Sequence, residues 1–227
     1  MGRKATCYAC ERAATTTEHA PPTYFFPEVK DAGINLRQHL ITVPSCAHHN
    51  TSRSKDDEYA MVFVVTHFET NQLARTQFAA KCIRALRRRP SFAKRVFDEP
   101  RPVQAGGQST VAITVDRDRF DRVMQATFRA IFYHDRGRKL LDDLLVWSPA
   151  FHHADLRPDA DEAALAVAVD QVLRDQPKVG HNPQVFWYQL VHDPARLTAL
   201  RIMFYEGFSA YAVADHRSTR SGSLTSA

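Results

Sequence analysis

VPSCAHHNTSRSKDDEY, residues 43 to 59, places two kinds of metal-ligand chemistry in one short stretch. Cys46 and His49 form a C-x2-H pair, and Asn50 follows at once. A thiolate and an imidazole at that spacing suit one edge of a tetrahedral zinc site, whose structural form takes four Cys or His ligands. Cys7 and Cys10, in CYAC, supply the other edge, so Cys7, Cys10, Cys46 and His49 complete a structural zinc set, with His48 competing for the fourth position. Between the pairs, Glu18 and His19 stand side by side ahead of Pro21 and Pro22, on a segment too short and too proline-rich to be a helix. Zinc-type ligands therefore bracket an acid and a histidine, with an amide just beyond.

Outward from this stretch, Thr16 to His19 and His39 to Val43 read as two short strands. A helix then starts near Ser45, a good N-cap residue, and carries Cys46, His49, Asn50 and Arg53 on neighbouring turns. Asp56, Asp57 and Glu58 ahead of YAMVFVVTHF read as the acidic first turn of a second helix.

Taken in order and spacing, CYAC, TEHAPP and VPSCAHHNTSRSKDDEY resemble the zinc-containing branch of the HNH endonucleases, or ββα-metal nucleases. The resemblance covers residues 5 to 60. It implies a zinc-stabilised ββα module over residues 1–67, followed by a helical and α+β C-terminal region over 68–227, for an α+β chain as a whole. It also implies that His19 is the general base, that Glu18 and Asn50 hold one divalent cation, Mg²⁺ or Mn²⁺, and that His39 fixes the loop carrying the catalytic histidine. A carboxylate, an amide carbonyl, waters and phosphate form the oxygen-rich shell those ions prefer. Arg53 and Lys55 are candidates for contact with nucleic-acid phosphate. The implied reaction is hydrolysis of a phosphodiester, in DNA first. The alternatives are a zinc-stabilised nucleic-acid-binding module that does not cut, and an RNA-directed nuclease or toxin.

Composition agrees with a folded, basic protein. The chain has 227 residues, 44% of them hydrophobic, and a net charge of +5, which favours a polyanionic partner. Four cysteines, three of them in ligand-like spacing, fit a metal clip in a reducing compartment better than a disulfide framework. With no apolar run long enough for a membrane span and no hydrophobic leader at the N-terminus, a cytoplasmic location is expected.

Beyond the motif the sequence is less specific. A helix is expected over Asn71 to Arg89, with Leu73, Phe78, Cys82, Ile83 and Leu86 on one face and an arginine cluster at its end that reads first as a solvated terminus. Cys82 reads as a core residue. PRPVQAGGQST, residues 100 to 110, is the linker candidate. A strand over VAITV, helices over Asp116–His134 and Asp161–Asp175, strands over Val185–Val191 and Leu200–Val213, and a disordered tail from Ser218 complete the expectation. His67-Phe68-Glu69 matches the H-x-E of nucleobase deaminases, but no P-C-x-x-C follows it. The C-terminal region offers a surface for a protein partner or oligomer.

Overall fold

The computed structural model describes residues 5–105, 107–151 and 160–217. The tail from Ser218 lies outside the described residues. The chain opens with a tight loop: Thr6 bridges Ala13, and the Ala14 amide donates to the Ala5 carbonyl at 2.9 Å, which puts CYAC at the tip. Strand β1, Thr16–His19, then pairs antiparallel with β2, Thr42–Ser45, from Thr16↔Ser45 to His19↔Thr42. Between them lies the short helix α1, Val29–Ala32, closed by Gly33 at φ 74. The second strand starts later than expected because His39 has φ 54, a left-handed value incompatible with strand backbone.

Cys46 is the N-cap of α2, Ala47–Asn50, and a 3-10 turn over Thr51–Arg53 leads into α3, Ser54–Thr66. Strand, strand and helix thus follow in the expected order, with Ser45 kept in β2. Every residue of α3 from Tyr59 to Val65 is buried, as befits a helix apolar on all sides. Asn71 caps the next helix, its side chain accepting from Leu73 and Ala74 amides. That helix runs as α4, Gln72–Gln77, through a π-helical stretch, Phe78–Cys82, into α5, Ile83–Arg88. Pro90 then opens α6, Pro90–Val96.

The expected linker is instead a hairpin. β3, Asp98–Ala105, pairs with β4, Gln108–Thr114, and Gly107 at φ 76 sits in its turn. Glycine that reads as flexibility in sequence here supplies the positive φ of a strand connection. α7, Arg117–Arg136, follows, N-capped by the Asp116 side chain.

The rest is an antiparallel sheet with a covering helix. Its strands are β5, Leu145–Trp147; β6, Val179–Asn182; β7, Phe186–Asp193; β8, Leu197–Phe204; and β9, Phe208–Asp215, in the order β5-β9-β8-β7-β6. The run expected as one strand from Leu200 to Val213 is two, turned at Tyr205 and Glu206, whose φ values are 50 and 61. Alternation along the strands divides the two faces. Leu200, Ile202, Phe204, Phe208 and Ala210 join the main core, while Ala199 and Tyr211 pack with Trp147, Val169 and Leu173 under α8, Ala160–Leu173.

The architecture is α+β, as expected, but the core does not stop at residue 67. One cluster of buried side chains contains Tyr8, Phe25 and Val43 from the first part and Phe128, Phe204 and Phe208 from the second. Phe25 stacks on Phe204 with ring centroids 5.0 Å apart, and the Tyr205 hydroxyl donates to the Phe25 carbonyl. Among the described residues no helix is long and apolar enough to cross a membrane.

Candidate metal centre and the adjoining acid–histidine site

Two turns converge to make the metal centre. The CYAC loop is held to β2 by the Tyr8 amide, which donates to the Pro44 carbonyl at 2.8 Å. The first turn of α2 places His49 one turn beyond Cys46, its amide bonded to the Cys46 carbonyl at 3.0 Å. The ligand atoms of Cys7, Cys10, Cys46 and His49 all lie within 4.8 Å of one another. His49 Nδ1 is 3.5 Å from Cys7 Sγ and 3.4 Å from Cys46 Sγ, and Cys10 Sγ is 3.9 Å from Cys46 Sγ.

These separations test the fit to zinc. Bonds of about 2.3 Å to sulfur and 2.0–2.1 Å to nitrogen give a tetrahedron with S···S edges of about 3.8 Å and S···N edges of about 3.6 Å. The three separations above lie close to those edges, and three thiols with one imidazole are a structural-zinc donor set. His49 takes the fourth position; the competing His48 is exposed and outside the group. The Lys139 ammonium, from just beyond the end of α7, donates to the Cys10 carbonyl at 2.8 Å and braces the loop.

Beside this centre, β1 carries Glu18 and His19 on opposite faces, and Asn50 reaches the strand from the end of α2. Asn50 Nδ2 donates to the Thr17 carbonyl at 3.0 Å and to Thr16 Oγ1 at 3.2 Å, so its amide docks on the first half of β1. His19, at the end of β1, is partly exposed, and among the described residues its ring has no hydrogen-bond or ion-pair partner. Glu18 alternates to the other face and is only 5% exposed. Its Oε1 accepts from Arg53 Nη2 at 2.6 Å, while Oε2 is buried without a hydrogen-bond partner. Burial pushes the Glu18 carboxyl up to about 7 against the pull of Arg53, and Asp57 adds to the rise. Asp57 is itself pushed up to about 6 by burial.

Two of the expected residues, Arg53 and His39, stand differently from their sequence reading, and Lys55 does not. Arg53, a candidate phosphate contact, is 12% exposed and spent on Glu18. Lys55 is exposed, and its carbonyl accepts from Arg119 at 2.9 Å. His39 lies outside the strand and faces His181, with ring centroids 5.0 Å apart. The two line a cleft of about 120 Å³ with Ala20, Ile41, His134 and Tyr188. No spacing in the sequence links His39 to His134 and His181, because their convergence depends on β6 folding back toward the start of β2. Comparison with family models, with curated proteins and with solved structures gives no match to any part of this chain, so its geometry alone supports a functional reading.

Proposed function

We propose that the chain is a metal-dependent endonuclease acting on nucleic-acid phosphodiesters, DNA first, with the acid–histidine site as its reaction centre. The observation that supports this reading is the docking of Asn50 on the Thr17 carbonyl, one residue before Glu18 on the strand that ends at His19, beside a zinc-type cluster. His19 Nδ1 or Nε2 would take the proton of the attacking water, a role that needs a positioned base with an open nitrogen. Glu18 Oε2, a buried carboxylate oxygen without a protein partner, and the Asn50 amide carbonyl are the hard donors that would hold Mg²⁺ or Mn²⁺. When bound, that cation supplies charge stabilisation on the scissile phosphate. The zinc cluster would anchor the CYAC loop and α2, and so fix Asn50 against β1.

The buried Glu18–Arg53 pair favours a second reading, a zinc-stabilised module that binds nucleic acid without cutting it, because that ion pair already employs the acid. One experiment separates the two: zinc-loaded protein is incubated with supercoiled plasmid, with Mg²⁺ or Mn²⁺ added or omitted. Cleavage dependent on the added cation, falling about 10² to 10⁴-fold in His19→Ala with zinc content unchanged, is the expected result. Wild type that binds plasmid but leaves it intact with either cation would refute the nuclease reading.

A further inference from the structure

The positive charge of this protein is not spread over its surface. From Asn71 to Phe97 there are eight Lys and Arg residues, six of them Arg, and no Asp or Glu. The whole chain is only +5, so everything outside this stretch is net negative. The stretch is α4, the π-helical turns, α5 and α6. Its apolar side chains face inward: Ala74, Cys82, Phe92 and Val96 are buried in the main core. Arg75, Arg84, Arg87, Arg88, Lys94 and Arg95 are exposed.

Two of the eight cations have structural work. Lys81 pairs with Glu28 at 3.3 Å, and Arg89 pairs with Glu58 on α3. Among the described residues the side chains of the other six have no ion-pair or hydrogen-bond partner. Arg84, Arg87 and Arg88 stand at i, i+3 and i+4 on one face of α5, where like charges repel one another. A cation near a helix C-terminus is favourable, but that benefit accounts for one or two charges in the last turn, not for a face without a single acid.

We infer that the α5–α6 surface is a docking face for the sugar–phosphate backbone of a nucleic-acid duplex, apart from Arg53 and Lys55. Arginine predominates, and its planar fork suits phosphate oxygens. An anionic membrane fits less well. Interfacial helices present large apolar side chains beside their cations, and none of the exposed large hydrophobic residues, among them Val29, Leu141 and Val167, falls between 71 and 97. The partner class rests on the nucleic-acid reading above, whereas the surface stands on its own charge.

The test uses Arg84→Gln/Arg87→Gln/Arg88→Gln and, separately, Lys94→Gln/Arg95→Gln in the full zinc-loaded chain. All five positions are exposed, and unchanged zinc content and thermal transition confirm folding. Binding to labelled 30-base-pair DNA and RNA duplexes is measured without Mg²⁺ between about 50 and 200 mM salt. The triple variant should bind at least tenfold more weakly, and its slope of log affinity against log salt should be smaller by about 2 to 3, at about 0.9 for each DNA phosphate that is no longer neutralised. A larger loss on one duplex identifies which nucleic acid the face serves. Both variants matching wild type in affinity and slope would overturn the proposal, as would wild type that binds neither duplex. Binding to phosphatidylserine vesicles, lost in the triple variant while duplex binding is not, would also overturn it. A triple variant that loses duplex binding while wild type never cuts plasmid would leave this face standing and remove the nuclease reading.

Discussion

Glu18 is the residue where burial and ion pairing oppose each other most directly. Burial raises its carboxyl to about 7, above the ordinary 4.5. The folded protein therefore keeps a proton that the unfolded chain has already released. This contribution to stability is fully present below about 4.5 and is lost as pH rises toward 7. Urea unfolding at saturating zinc should show wild type losing more stability between pH 5 and 7 than Glu18→Gln; parallel pH profiles would exclude a raised Glu18. At this scale the metal ligands are legible in the sequence, because Cys and His in C-x2-C and C-x2-H pairs carry their chemistry in type and spacing. Arg53 as the partner of Glu18 is not legible: the two are 35 positions apart and meet only once β1 lies against the 3-10 turn.

Elements show the same division. α3 follows from an acidic first turn ahead of an apolar run, α7 from apolar residues at helical spacing, and the β7 strand from its aromatic run. The turn between β8 and β9 does not, since Tyr205 and Glu206 take positive φ without the Asn or Gly that normally announces it. That turn is also where the sheet touches the N-terminal elements. The Asn71 amide donates to the Tyr205 carbonyl at 2.9 Å, and Asn71 Nδ2 donates to Glu206 Oε2 at 2.8 Å. A Cβ on Gly207 would lie 2.2 Å from the Glu69 carbonyl oxygen and 2.3 Å from its carbon. Backbone meets backbone there, so no rotamer change relieves the clash. Gly207→Ala should cost about 1–3 kcal/mol, as overpacking does, in chemical denaturation. An alanine variant as stable as wild type would mean that the Glu69 loop yields freely.

For the whole molecule, the main core and the candidate metal centre make a joint expectation. Because the main cluster runs from Tyr8 to Phe208, far-ultraviolet circular dichroism and tryptophan fluorescence should report a single coincident thermal transition. Elemental analysis should find one zinc per chain, lost in Cys46→Ser. Removing zinc should lower that transition by about 10 °C, the scale for a ligand held at about a thousand times its dissociation constant in a chain of this size. Two separate transitions, or one indifferent to zinc, would contradict this coupling.

The brace from Lys139 to the Cys10 carbonyl and the stacking of Phe25 on Phe204 bear on how the chain can be taken apart. Residues 1–67 look portable in sequence, a cassette that ends where α3 ends. Excised there, the cassette would leave Phe25 without its stacking ring, the metal loop without its ammonium and α3 without α7. Grafting the acid–histidine site onto another scaffold therefore means rebuilding three supporting faces, whereas new specificity can be sought on the β3–β4 hairpin, which supplies none of them.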